Sequence, residues 1–262
     1  MQPVHDPAVP PFVDHYQRVE SYAEIEEVMR SPDFHQGGAP ERRIFFGGTL
    51  IFAEGQEHSE QKQLFSELMS RKAMAYYELH LLQPVIDQVI REIQAKRGPD
   101  GLVRADVVPL VRTMLHRISA AVTGVDGVDT PERTERFRSL VTKLGEATAG
   151  QFTTLEKDQV LAEGFAALQA LVDEFLQVSL DRRKALVERF RAGDIAKDEL
   201  PRDMLTTLCL QGDLSRADDE GQIPYAWRQC ALFLTASIQT TSHTLPHAVV
   251  HLDEWFSSPL SY

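Results

Sequence analysis

The stretch Tyr225–Phe256, YAWRQCALFLTASIQTTSHTLPHAVVHLDEWF, is expected to form one long helix that runs through the core. Its first third is apolar on nearly all sides, and a single helix over this range would be roughly 48 Å long. Pro246 has no backbone N–H, so the turn around it should open or kink. The centre carries the hydroxyl residues Thr235, Ser237, Thr240, Thr241, Ser242 and Thr244. These hydroxyls either face a cavity or bond to carbonyls of the preceding turn, and the sequence leaves both interpretations open.

The composition indicates a globular protein that can bury a sizeable core, with 262 residues of which 43% are hydrophobic and 25% charged. With 39 acidic and 27 basic residues, the net charge is -12, which argues against a nucleic-acid partner. Neither a signal peptide nor an apolar run of about 20 residues is present, so a cytoplasmic protein without a membrane anchor is expected. Cys209 and Cys230 have apolar neighbours and are interpreted as small core residues in a reduced protein.

Helical periodicity along the rest of the chain predicts a mainly α protein of about eight helices, with few or no strands. The central helix is predicted at about 223–256, and the others at Ser21–Ser31, Gln56–Ser70, Ala73–Arg97, Asp106–Val122, Pro131–Ala149, from Thr153 or Thr154 to Arg191, and at Arg202–Cys209. Ser21 and Glu24 have the spacing of a capping box at the first of these helices. The glycine-containing run Ile44–Phe52 is predicted to be a loop or a short strand that packs on an apolar surface.

Two groups of side chains could bind a ligand from one face of a helix. His58 and Lys62 are four residues apart and could bind carboxylates or phosphates, although the same pattern also describes an ordinary solvated face. His243, His247 and His251 lie on one helical stripe, and such imidazoles can chelate a metal. The sequence shows no further ligands at chelating geometry, so no metal-binding residue is predicted. Metal binding by this stripe stays a third hypothesis.

Four segments, taken in chain order, resemble the cytochrome P-450 family, the haem-thiolate monooxygenases, in the soluble bacterial style. They are SYAEIEEVMRSPDF from Ser21, GQEHSEQKQLFSELMS from Gly55, VRADVVPLVRTMLHRISAAVTGVDGVD from Val103, and ASIQTT from Ala236. The resemblance implies that this chain forms the N-terminal part of the P-450 fold and that Tyr225–Phe256 contains its central oxygen-groove helix.

The resemblance also assigns roles to individual residues. The second segment looks like the family's Gly-x-x-His-x-x-x-Arg, so His58 and Lys62 would bind the haem propionates. ASIQTT looks like the groove motif Ala-Gly-x-Asp/Glu-Thr-Thr, so Ala236 and Ser237 would contact haem, and Thr240 with Gln239 would manage protons during catalysis. The substrate pocket would be lined by Phe45, Phe46, Ile51, Phe52, Thr235 and Ile238.

The sequence departs from the family pattern at several of these positions. Lys62 keeps the positive charge of the family arginine but lacks its bidentate fork. Ser237 replaces the groove glycine and should crowd the place of oxygen, and Gln239 replaces the acid, so a carboxylate relay is not expected. The family's Glu-x-x-Arg helix and its cysteine-ligand loop do not follow the long helix, and neither Cys209 nor Cys230 lies in such a loop. Residues 1–262 are therefore interpreted as one incomplete domain.

For the activity, the resemblance implies insertion of one oxygen atom from O2 into a small apolar organic substrate. Electrons would come from NAD(P)H through ferredoxin reductase and ferredoxin, and haem (heme) is expected only together with the C-terminal portion. These 262 residues alone are expected to be inactive. Two alternatives stay open: a non-enzymatic helical scaffold or interaction module, and a metal-binding helical protein that uses the histidine stripe.

Overall fold

The structure, a computed structural model, describes residues 18–35, 40–150, 153–211 and 223–257. These residues contain helices and no strand, which confirms the mainly α prediction. Within them, no helix is both long enough and apolar enough to cross a membrane. The α-helices are α1 Tyr22–Arg30, α2 Pro40–Phe46, α3 Gly55–Ser66, α4 Arg71–Tyr77, α5 Gln83–Gln94, α6 Val107–Thr123, α7 Pro131–Thr148, α8 Lys157–Leu171, α9 Gln177–Ala192, α10 Met204–Gln211 and α11 Tyr225–Ser257.

Two of the predicted long helices contain a wider turn in their middle. The π-helical segment Glu78–Leu82 joins α4 to α5, and Val172–Leu176 joins α8 to α9. Short 3-10 turns lie at Glu67–Met69, directly after α3, and at Lys197–Glu199. The periodicity of the sequence therefore identified the continuous helical stretches and did not detect the change of pitch within them.

The chain divides into two compact units, Met1–Gly37 and Gly38–Tyr262. In the first unit, α1 has the predicted capping box: Ser21 Oγ accepts a hydrogen bond from the Glu24 N–H, and the Glu24 carboxylate accepts one from the Ser21 N–H. The helix ends at Arg30, just before the Ser31-Pro32 pair, as predicted. The single incomplete domain inferred for residues 1–262 stays a prediction.

Helix boundaries in the second unit follow from local capping. Asp106 accepts a hydrogen bond from the Val108 N–H at 2.9 Å and starts α6, and Gly124 ends this helix with a φ of 95°. The predicted start of the helix at Thr153 or Thr154 is wrong, since α8 begins at Lys157. The hydroxyl of Thr153 instead accepts a bond from the Leu155 N–H at 3.1 Å, so it closes a local turn before the helix.

The loop or strand predicted at Ile44–Phe52 is partly wrong, because α2 extends to Phe46. Its seven residues are too few for a helical period to show, and the adjacent Phe45 and Phe46 are both buried. The chain turns at Gly47 and Gly48, and Gly48 has a φ of 67° that favours glycine. Thr49 then holds the turn by donating its hydroxyl to the Phe46 carbonyl at 2.6 Å.

The predicted long helix is confirmed as α11, which remains helical through Pro246. It packs against α2, α6, α7 and α10, and its buried residues all lie at or before Ser242. Beyond that point several large apolar side chains are exposed: Leu245, Val249, Val250, Leu252, Trp255 and Phe256. The first half of α11 thus forms the centre of the core, and its last turns do not take part in it.

Candidate functional site

The hydroxyl side chains of α11 bond to the preceding turn of their own helix. Each of five donates to the carbonyl oxygen four residues earlier: Thr235 (2.7 Å), Ser237 (2.7 Å), Thr240 (2.9 Å), Ser242, and Thr244 (2.9 Å). This confirms the back-bonding interpretation for these five residues. A hydroxyl that donates its proton in this way can still accept a hydrogen bond. The hydroxyl oxygens of Ser237 and of Ser119 in α6 are 2.8 Å apart and are joined by such a hydrogen bond.

The proposed groove motif lies partly on an open surface of α11. Ala236, Ser237 and Thr240 are exposed, whereas Thr235 and Ile238 are buried in the core at 5% and 4% exposure. The structure therefore separates the residues that the resemblance assigns to haem from the two α11 residues that it assigns to the substrate pocket.

The side chain of Gln239 in α11 packs against Gly145 of α7. The side-chain amide of Gln239 occupies the space beside Gly145, where a Cβ atom would overlap it. The amide also lines a small cavity together with Arg112 and His116 of α6. Gln239 is therefore positioned as a neutral hydrogen-bonding group among basic neighbours.

The helix that carries His58 and Lys62 is fixed to α11 by the residue between them. His58 is half-buried and Lys62 is exposed, while Gln61 is 5% exposed. Gln61 donates to the Gly48 carbonyl at 2.8 Å and accepts a hydrogen bond from Gln229 of α11 at 2.9 Å. Gln229 is fully buried, so this contact joins α3 to α11 within the core.

A second contact between α3 and α11 lies one turn further along. The rings of Phe65 and Phe233 are 5.0 Å apart, a favourable distance for an aromatic pair. Gln61 and Gln229 were not singled out from the sequence. Gln61 does share a helix face with Phe65 and Leu68, and that spacing is the signal that could have identified it as buried.

The aromatic residues proposed for the substrate pocket are mostly core residues. Phe45 is fully buried and its ring lies 5.0 Å from that of Phe165, and Phe46 and Phe52 are buried as well. Ile51 is 37% exposed. The turn that carries them is held to α11 because the Arg228 guanidinium donates to the Gly47 carbonyl.

Neither cysteine is suited to bind a metal as a thiolate. Cys230 is fully buried and Cys209 is 6% exposed. Burial raises the pKa of the Cys209 thiol to about 11 and raises the pKa of Cys230 as well. Because the axial ligand of a haem-thiolate site must be deprotonated, neither of these two buried thiols fits that role.

The histidine stripe lies on the outside of α11. His243, His247 and His251 are exposed, and His251 Nδ1 lies 3.3 Å from the Glu254 carboxylate. In the ranges that the structure describes, no group of three or more His, Cys, Asp or Glu side chains is assembled for a metal ion. The geometry gives the metal-binding hypothesis no support.

The chain is similar to a solved structure. No protein-family model and no curated protein matches the chain. Cytochrome P450EX alpha, solved with myristic acid, is similar with a TM-score of 0.45 and 17% sequence identity. The similarity covers 78% of this chain and 42% of that one, so the chain spans less than half the length of this structure.

Proposed function

We propose that this chain forms the N-terminal, haem-facing portion of a cytochrome P-450-type monooxygenase. The observation that carries the proposal is the buried contact between Gln61 of α3 and Gln229 of α11 at 2.9 Å. It links the helix with His58 and Lys62 to the helix with ASIQTT, at a point seven residues before that motif begins. The contact thus connects two helices that are far apart in the sequence, as a shared haem site would require.

In this proposal the residues of the chain bind and orient the cofactor and handle protons. The imidazole of His58 and the ammonium group of Lys62 would bind the haem propionates through charge-assisted hydrogen bonds. Thr240 would accept a hydrogen bond from water or ligand on the open surface of α11, because its own proton is donated to the Ala236 carbonyl. Gln239 would orient water without supplying a proton, since an amide does not titrate.

The activity proposed for the whole protein is insertion of one oxygen atom into a small apolar organic substrate. Haem, when bound, would supply the oxygen chemistry, and electrons would come from NAD(P)H through ferredoxin reductase and ferredoxin. The iron ligand would have to be a thiolate other than Cys209 and Cys230, because both of these thiols are enclosed in the core. We accordingly expect no monooxygenase activity from these residues alone. Phe45, Phe46, Ile51 and Phe52 remain the proposed lining of the pocket, and cytoplasmic localisation remains a prediction.

Titration of the chain with hemin tests this proposal. We expect saturable binding, measured by hemin absorbance and by quenching of tryptophan fluorescence. The double variant His58→Ala and Lys62→Ala should bind hemin roughly tenfold more weakly, because two charge-assisted contacts are lost. The reduced complex with carbon monoxide should lack the absorbance of a thiolate-ligated iron.

Lys72→Ala is the matched control for the hemin titration. Lys72 is likewise an exposed lysine on a helix, in α4, and its removal changes the net charge as the removal of Lys62 does. We expect this variant to bind hemin as the unmodified chain does. Equal affinity for the unmodified chain and the double variant would contradict the propionate roles, and a thiolate-type carbon monoxide band would contradict the expected inactivity.

A second candidate function, an interaction module without enzymatic activity, is favoured by the exposed end of α11. Leu245, Val249, Val250, Leu252, Trp255 and Phe256 are between 44% and 71% exposed and form what we call the α11 apolar end. An exposed apolar patch of this kind typically marks an interaction surface. This candidate predicts association through the α11 apolar end and no dependence on haem.

Sedimentation equilibrium tests the role of the α11 apolar end. We expect the chain to self-associate as its concentration rises, and the double variant Trp255→Ser and Phe256→Ser to shift toward monomer by about tenfold in dissociation constant. Leu155→Ser is the control, since Leu155 is 68% exposed and lies away from α11 in sequence. A chain that stays monomeric throughout, or a double variant that associates unchanged, would exclude this surface.

A further inference from the structure

A small polar cavity of about 120 Å³ lies between α6, α7 and α11. Its polar lining consists of Arg112 and His116 from α6, Arg138 and Thr142 from α7, and Gln239, Ser242 and His243 from α11. No aspartate or glutamate is part of this lining. We infer that the cavity binds a small oxyanion, such as inorganic phosphate or a carboxylate, together with a proton taken up by His116.

The positive charge of the cavity comes mainly from Arg112. Arg112 is exposed and forms no ion pair with any residue in the described part of the chain. Arg138 is different, because Glu135 accepts two of its hydrogen bonds, at 2.8 and 2.6 Å. Glu135 therefore offsets most of the Arg138 charge, and Arg112 is the guanidinium that is available to an incoming oxyanion.

His116 presents one unused ring nitrogen. The residue is 3% exposed, and its Nδ1 lies 2.6 Å from the Arg112 carbonyl oxygen, so Nδ1 carries the proton and donates it there. Nε2 has no hydrogen-bond partner among the residues that the structure describes. His116 lines the cavity, and Nε2 is not one of the enclosed atoms that lack a partner, so an oxyanion in the cavity could contact it and accept a hydrogen bond from it.

Protonation of His116 should be coupled to occupation of the cavity. Burial, assisted by the charges of Arg138 and Arg112, lowers the pKa of His116 to about 4, against the opposing effects of the Arg112 carbonyl and Glu135. The empty cavity thus holds a neutral imidazole at neutral pH. A bound oxyanion favours the imidazolium, which then donates from Nε2, so affinity should rise as the pH falls.

The other titratable group of the lining is His243, which reaches the cavity from α11. Because its imidazole could also take up a proton on binding, the two histidines have to be separated by experiment. His243 is exposed, so His243→Gln is expected to fold normally. The inference does not depend on the haem proposal, since Arg112 and His116 have no role in that proposal, and Gln239 is the lining residue that both use.

Isothermal titration calorimetry with inorganic phosphate at constant ionic strength tests the inference. We expect saturable binding. Sulfate, whose charge does not change between about pH 7 and about pH 5.5, should also bind, severalfold more tightly at the lower pH and with net proton uptake revealed by buffers of different ionisation heat. The same proton uptake should persist in His243→Gln. Arg112→Gln should weaken phosphate binding roughly tenfold, and acetate should compete with phosphate for the site.

Lys143→Gln is the matched control for Arg112→Gln. Glu135→Gln is expected to change phosphate affinity in the opposite direction to Arg112→Gln. Lys143 also lies on α7, but it is paired with Glu163 of α8 at 3.2 Å, so its loss should leave phosphate affinity unchanged. Glu135→Gln should strengthen binding, because it frees Arg138. The inference is overturned if Arg112→Gln and Lys143→Gln have equal effects, or if sulfate binds without proton uptake in His243→Gln. All four variants replace exposed residues, so the experiment requires no change of the buried His116.

Discussion

Replacement of Arg183 with methionine is expected to lower the free energy of unfolding by about 3–5 kcal/mol, the largest effect of any single substitution considered. The Arg183 side chain is 9% exposed and that of Asp203 is 4% exposed. Arg183 donates to Asp203 at 2.9 Å and to both carboxylate oxygens of Asp126 at 2.6 and 3.0 Å. Its removal leaves the Asp203 carboxylate buried and without its cation. Urea denaturation followed by circular dichroism measures the loss.

The double variant Arg183→Met and Asp203→Asn separates the ion pair from simple loss of packing. Asp203 also accepts a hydrogen bond from the Thr206 N–H at 2.7 Å and so caps α10, and an asparagine can keep that bond. We expect the double variant to recover more than half of the lost stability. If it is as unstable as Arg183→Met alone, the cost arises from packing of the arginine stem and not from the orphaned charge.

The free energy of unfolding that is lost in Arg183→Met should depend on pH, and its direction follows from the pKa of Asp203. Burial raises the pKa of Asp203 above its ordinary value of 3.8, although Arg183 and Thr206 lower it. Without Arg183 the pKa should rise further, so the folded variant binds a proton more tightly than the unfolded chain does. Stability of the variant relative to the unmodified protein should therefore improve as the pH falls from about 7 to about 5. An unchanged or growing difference would contradict this account.

The helices of this protein could be predicted from sequence because their ends are encoded locally. Ser21 with Glu24, Asp106, and Thr130 with Pro131 are caps whose side chains act within three residues of the helix start. Glycine ends helices in the same local way at Gly124 and Gly193, both with positive φ. The start of α8 was misplaced because two threonines offered an equally good local signal, and only the folded chain shows that Thr153 caps a turn.

Contacts between helices could not be predicted, because they depend on which buried faces meet. Gln61 and Gln229 are polar residues that the sequence gives no reason to bury, yet together they join α3 to α11. Met69 lies within the predicted helix Gln56–Ser70 and is 59% exposed, because the 3-10 turn Glu67–Met69 changes the direction of the buried face after α3. The oxyanion cavity likewise combines residues from three helices, and no spacing within one segment indicates it.

Gly164 marks the closest approach of α7 and α8, and Gly164→Ala is expected to destabilise the protein by roughly 1–3 kcal/mol. A Cβ atom at this position would overlap the Cβ of Ala147 and come within 3.3 Å of the Phe45 ring. Alanine is otherwise the better residue inside a helix, by about 1 kcal/mol, so this substitution would normally stabilise. Thermal unfolding, compared with the unmodified chain, decides which of the two effects is larger.

Gly145 provides the control, since it also lies inside a buried helix but faces a movable neighbour. A Cβ atom at Gly145 would overlap only the amide end of the Gln239 side chain, which can rotate away. Gly145→Ala should therefore be neutral or stabilising by up to about 1 kcal/mol. Ala147→Gly should rescue Gly164→Ala, because it removes the methyl group that the new Cβ meets. If Gly164→Ala is as stable as Gly145→Ala, then α7 and α8 can separate without cost, and their close contact does not hold Phe45 in the core.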